Sequence, residues 1–168
     1  MESLLILLAT PLAGGLALWV LGERDSAPEI NSAFSFATLA AAAWITAQVV
    51  SDGPKLIFLD QFFVDPLNVF LVTLTAFVGF TTSLFSRPYM RTERDKGRMT
   101  PARLRLYHSM YQVFMFTMLL ALTTNNMGIL WVAMEAATLA TVLLVSVYRT
   151  AAALEAAWKY FILCGVGI

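Results

Sequence analysis

One cysteine, Cys164, and one histidine, His108, are all that this 168-residue chain offers a disulfide or a thiolate or imidazole metal site. A disulfide framework, a thiolate metal site and a multi-histidine cluster within the chain are thereby excluded. Charge is scarce too, at 13% of residues, where an ordinary soluble domain carries about a quarter. The 11 basic and 11 acidic side chains cancel, which leaves no excess of basic surface for nucleic acid. No G-x-G-x-x-G, P-loop, C-x-x-C or H-E-x-x-H motif occurs. No catalytic centre, cofactor or metal is expected from these residues. What the chain has in quantity is apolar side chains, 59% of the total, with a mean hydropathy of +0.73. That is the composition of an integral membrane protein.

A hydrocarbon core about 30 Å thick takes roughly 20 apolar residues in helix to cross. Five segments approach that length: 4–21, 30–50, 64–86, 106–123 and 126–147. The first is closed by Glu23-Arg24-Asp25, the second by Asp52-Gly53-Pro54 and the third by Arg87-Pro88. A sixth is expected to start near Ala156 and reaches Ile168, the last residue, after only about 18 Å of rise. The expected fold is all-α and integral to the membrane, with five transmembrane helices and a truncated sixth. The first segment begins Met1-Glu2 rather than with a basic stretch and lacks an A-x-A-like site, so it reads as a retained helix, not a signal peptide.

Lysine and arginine concentrate in cytoplasmic loops. Connections one, three and five hold ten of the 11 basic residues, from Arg24 through the run Arg87 to Arg105 to Arg149 and Lys159, and only Lys55 falls on the other side. The N-terminus is therefore expected outside and the third connection in the cytoplasm. Glu93 and Asp95 interrupt the basic run, which weakens its reading as a patch for anionic lipid. Thr100-Pro101 is expected to open a short interfacial helix carrying Arg103 and Arg105.

Between the second and third segments, Lys55 to Phe63 is aromatic, β-favouring and too short to span, and reads as an extended segment at the outer interface. Asp65-Pro66 then reads as an N-cap followed by proline at the first helical position, and Asn125-Asn126 as capping for the fifth helix. Asp60 reads as a solvated loop carboxylate. His108, set between Tyr107 and Tyr111, reads as an interfacial aromatic-belt residue.

Glu135 is the exception to the rule that charge stays out of the spans. It lies nine residues after Asn126, about 13 Å from the outer end of its helix. An acid at that depth costs about 2.5–3.5 kcal/mol on insertion scales. Protonation, a paired cation or a water-filled cavity could offset the cost, and no lysine or arginine lies within the five full expected spans. Ala133, Ala136, Ala137 and Ala140 form a small-residue strip for close helix packing, and Thr138 and Thr141 offer hydroxyls nearby. Glu135 reads as a proton or ion relay, with a protonated interhelical glue residue as the alternative. Lys159, near the expected start of the sixth helix, is a second relay candidate that could equally snorkel to the interface.

Tyr89-Met90-Arg91, Phe116 to Leu120, Thr124-Asn125-Asn126-Met127, Trp131 to Ala136, Thr138-Leu139 and the run Leu154 to Cys164 together resemble the antiporter-like membrane subunits of complex I and related hydrogenases. The last run is most similar to component F of hydrogenase-4 and formate hydrogenlyase-type complexes. Before Tyr89 only Phe63 to Leu67 matches. The resemblance implies a role in moving protons, or sodium, driven by electron transfer in a redox complex. It implies as partners the other membrane subunits of a hydrogenase or complex-I-like assembly, in a bacterial or archaeal inner membrane. Glu135 matches a family glutamate that pairs with a lysine on a later helix, and Lys159 a commonly basic position. The segment around Phe58 to Phe63 corresponds to a β-hairpin that connects neighbouring subunits. Residues 1–168 are expected to be the N-terminal third of such a subunit. Two other functions compete: a structural or assembly module that moves nothing, and a subunit of a sodium/proton antiporter or inorganic-carbon transporter.

Overall fold

The computed structural model describes residues 2–167. Along the chain it forms α1 (Glu2–Leu21), α2 (Ala27–Asp52), β1 (Lys55–Ile57), β2 (Phe62–Val64), α3 (Pro66–Asp95), α4 (Pro101–Thr123), α5 (Met127–Val145), a 3₁₀ turn (Ser146–Tyr148) and α6 (Ala151–Gly167). Four of these stretches are long and apolar enough to cross a membrane: Glu2–Leu21, Ala27–Asp52, Pro66–Asp95 and Met127–Tyr148. The protein is a helical, multi-pass membrane protein. α4 has the length, 23 residues, but carries Arg103, Arg105, His108 and Gln112 and so falls short in apolarity.

Helix ends follow local chemistry. Asp65 accepts a hydrogen bond from the Asn68 N–H at 2.7 Å, and Pro66 follows it, as expected. Asn126 caps α5 by accepting from Gly128 and Ile129. Gly53, at φ 86°, ends α2 in a conformation that glycine takes without a Cβ penalty.

Three boundaries differ from expectation, the first because tertiary contacts outweigh a local stop signal and the other two through local caps. α3 continues through Arg87-Pro88 to Asp95. Its last turns pack Met90 and Glu93 inward, and Arg87, Arg91 and Arg94 reach acids on the α1–α2 connection and the start of α2. Thr100-Pro101 opens no separate interfacial helix but the first turn of α4 itself. α6 starts at Ala151, not near 156, because Thr150 caps it: its Oγ1 accepts from Ala153 at 3.1 Å. Glu155 and Lys159 consequently lie inside α6.

The helices run alternately up and down. Ion pairs Glu23–Arg105 (2.9 Å) and Asp25–Arg94 bring the α1–α2 and α3–α4 connections to one end, and a Tyr89–Tyr148 hydroxyl contact at 2.9 Å adds the α5–α6 connection. This is the basic end. The other end holds the β1–β2 hairpin, paired antiparallel with Leu56 opposite Phe63. An apolar core of Leu4, Leu7, Ile45, Val49, Val64, Val72 and Leu119 lies beneath the hairpin, and a smaller one of Met90, Met99, Leu104 and Val147 lies at the basic end. Gly22 lets α1 end against α4, because a Cβ there would stand 2.9 Å from the Arg105 Cα.

The hairpin tip is strained. Phe58, Leu59 and Asp60 all take positive φ, 53–63°, a region that costs a non-glycine residue about 1–2 kcal/mol. Contacts to the α4–α5 connection hold the turn in place. Asn125 donates its N–H to the Gln61 carbonyl at 2.7 Å and its side-chain amide to the Asp60 carbonyl at 2.9 Å, while the Asn126 amide reaches Gln61 Oε1 at 2.6 Å. Asn125 is thus a latch rather than a cap. Asp60 itself is exposed, as expected.

Candidate functional site

α5 packs on α4 through its small residues. Ala133, Ala137 and Ala140 are buried, with Ala136 half-buried. Glu135 is two residues from both Ala133 and Ala137, so it lies about 160–200° round the helix from them. The alanine strip therefore does not place it against α4. It stands half-buried on the face that also carries Leu139 and Val142, which line a groove with Leu154, Ala157, Trp158 and Phe161 of α6. Thr138 and Thr141 donate their hydroxyls to their own helix, to the Met134 and Ala137 carbonyls, rather than to the carboxyl. Among the described residues, no lysine or arginine lies within 4.0 Å of Glu135 and nothing hydrogen-bonds it.

Lys159 is exposed and pairs with Glu155 one turn before it on the same helix. Lys159 lies eight residues, about 12 Å, into α6, whereas Glu135 lies ten residues, about 15 Å, before Val145, with the 3₁₀ turn Ser146–Tyr148 between Val145 and the α5–α6 connection. No ion pair joins the two.

A second polar cluster lies between α2 and α4. Gln112 donates its amide to the Asn31 carbonyl (3.1 Å), Asn31 Oδ1 (2.8 Å) and Ser35 Oγ (3.0 Å). One turn closer to the basic end, His108 is 1% exposed, so it is a buried residue and not the interfacial belt residue expected. Both of its ring nitrogens are enclosed without a hydrogen-bond partner in the protein, as is Glu29 Oε2. A cavity of about 10 Å³ beside His108, lined also by Arg24, Arg91 and Arg94, has room for one water. The readable signal for this cluster was spacing: Asn31 and Ser35, like His108 and Gln112, are four residues apart and so share one face of their helix. Glu29, which takes Arg87 at 3.2 Å and also Arg91, gave no such signal.

Fold and composition define a class: a multi-pass helical membrane protein with one isolated carboxyl deep in a span. No family model matches the chain. It is 46% identical over 158 residues to the hydrogenase-4 component F homolog of Methylacidiphilum infernorum (isolate V4), a match covering 94% of this chain and 32% of that relative. Across that stretch the chain is similar to this component F homolog, and it spans about a third of the length of the curated relative it matches.

Proposed function

We propose that this chain is part of a proton-translocating membrane subunit of a hydrogenase or related respiratory complex, and that Glu135 is a proton-carrying carboxyl in it. One observation carries the reading. Glu135 is a carboxyl at membrane depth with no cation within 4.0 Å among the described residues, whereas Glu23, Asp25, Glu29, Glu93 and Asp95 at the basic end all have one. An acid kept in a span at a cost of about 2.5–3.5 kcal/mol, and left free to gain and lose a proton, is what a relay needs. Homology to a component F of hydrogenase-4 supports the setting. In this reading α4 crosses the membrane with its neighbours and the basic end faces the cytoplasm, as the distribution of arginines favours. The partners are the other membrane subunits, the carried ion is the proton or sodium, and the membrane is a bacterial or archaeal inner membrane. Lys159 serves as a second, more exposed station.

The test is redox-driven proton uptake into vesicles containing the assembled complex. Glu135→Gln is expected to lower uptake at least tenfold while subunit assembly stays intact. Wild-type uptake in that variant would remove Glu135 from the relay and leave the assembly-module reading in its place.

A further inference from the structure

Four basic residues at the basic end lack a carboxylate within 4.0 Å among the described residues: Arg24, Lys96, Arg103 and Arg149. Two of them converge. Arg103, in the first turn of α4, and Arg149, in the α5–α6 connection, line one hollow of about 420 Å³ with Trp19, Thr100, Arg105 and Leu106. Arg149 is held at its rim by a left-handed backbone, φ 51°, whose N–H donates to the Ser146 carbonyl at 3.0 Å. Arg105 is fixed with its guanidinium 5.4 Å over the Trp19 ring and its Nη1 on Glu23 Oε1 at 2.9 Å. The hollow therefore gathers three arginines against one carboxylate.

Glu93 and Asp95, whose presence in the loop argued against lipid, are engaged elsewhere, Glu93 with Arg98 at 3.3 Å and Asp95 beside Arg94 at 3.9 Å. They do not neutralise this hollow.

We propose that the hollow is a headgroup site for an anionic phospholipid of the leaflet at the basic end. Arginine guanidinium groups bind phosphate oxygens through paired N–H donors. Basic pockets between transmembrane helices suit such headgroups, and an indole at a helix end marks the interfacial level. The occupant is a lipid rather than free phosphate because an apolar track leads away from the hollow. Leu12, Leu16, Trp19 and Val20 recur at helical spacing along α1 and are 41%, 65%, 52% and 76% exposed, a stripe along which an acyl chain can lie. Leu106 forms part of the floor between stripe and arginines.

Native mass spectrometry of the full chain in neutral detergent, titrated with phosphatidylglycerol and separately with phosphatidylcholine, tests this. The wild type is expected to retain phosphatidylglycerol preferentially. Each of Arg103→Gln and Arg149→Gln is expected to weaken it about fivefold, and the pair about 25-fold, at roughly the strength of one basic residue each at a membrane surface. Trp19→Leu is expected to weaken it without changing the charge. Lys96→Gln, an unpaired cation outside the hollow, is expected to leave binding unchanged. Melting temperatures read alongside separate lost binding from lost folding. Phosphatidylglycerol binding unchanged in the double variant would overturn the site. So would equal loss in Lys96→Gln, which would mean a diffuse basic surface. Full displacement of the lipid by millimolar inorganic phosphate would overturn the lipid as occupant.

Discussion

The acids at the basic end and the acid in the middle of α5 are treated in opposite ways by the same chain. Glu29 has two arginines, Arg87 and Arg91, brought from a helix 58 and 62 residues away in sequence, and Glu93, nearly buried, has Arg98. Glu135 has none, although the neighbouring α6 carries a lysine, and that lysine is given to Glu155 instead. The fold evidently finds cations for acids where an ionised carboxylate is structural. In the proposed reading, an acid left without one, at a position that costs energy to occupy, is kept for what its proton does.

The contrast can be broken by supplying what Glu135 lacks. Leu139 lies one turn along the same face and is 47% exposed. Leu139→Lys gives Glu135 an i, i+4 cation like the Glu155–Lys159 pair, and proton uptake by the assembled complex is expected to fall at least tenfold, as it should for Glu135→Gln. If uptake stays at wild type with the lysine in place, the carboxyl's freedom from cations is irrelevant to function.

Next in size is the α2–α4 polar cluster. Gln112→Leu removes three hydrogen bonds and leaves the buried Asn31 amide oxygen without its donor, a loss of about 2–3 kcal/mol by denaturant or thermal unfolding in detergent. Ala140→Leu, on the face packed against α4, is expected to cost about 1–3 kcal/mol through overpacking. A smaller enlargement at Glu135's face, Val142→Leu, adds one carbon rather than three and should cost less, both for its size and because that face opens on the groove beside α6.

Much of this fold was readable because apolar runs and capping residues are local signals. Asp65, Asn126 and Gly53 end or begin helices where the residue types say they should. The extended outer segment appears as the β1–β2 hairpin. Apart from the α4 and α6 starts, which local caps set, the misread places share one cause, a partner distant in sequence. Pro88 stops a helix only if nothing holds the following turns, and here Asp25 and Glu29 hold them. His108 looks interfacial among tyrosines until packing with the α1–α2 connection and α3 encloses it. Asn125 looks like a cap until the hairpin arrives beside it. Glu135 was legible as an isolated charge, but which face of α5 it occupies relative to α4 and α6 was not fixed by the alanine strip.

Smaller effects test the other end of the comparison. Asn125→Ala unlatches a hairpin tip held in left-handed backbone and is expected to cost about 1–2 kcal/mol and speed amide exchange at residues 58–61. Lys159→Gln removes an exposed i, i+4 pair and should change stability by no more than about 0.5 kcal/mol. A large loss there would mean that Lys159 supports the fold rather than standing open on α6.

The most direct measurement asks whether the Glu135 carboxyl changes its protonation state during turnover. Infrared difference spectra of the assembled complex, reduced against oxidised, with the wild type and Glu135→Gln compared, read the carboxylic C=O stretch of protonated acids. The account predicts a carboxylic band that appears reversibly in the wild type and is missing from Glu135→Gln, with the remaining bands retained. Identical difference spectra from the two proteins would contradict it.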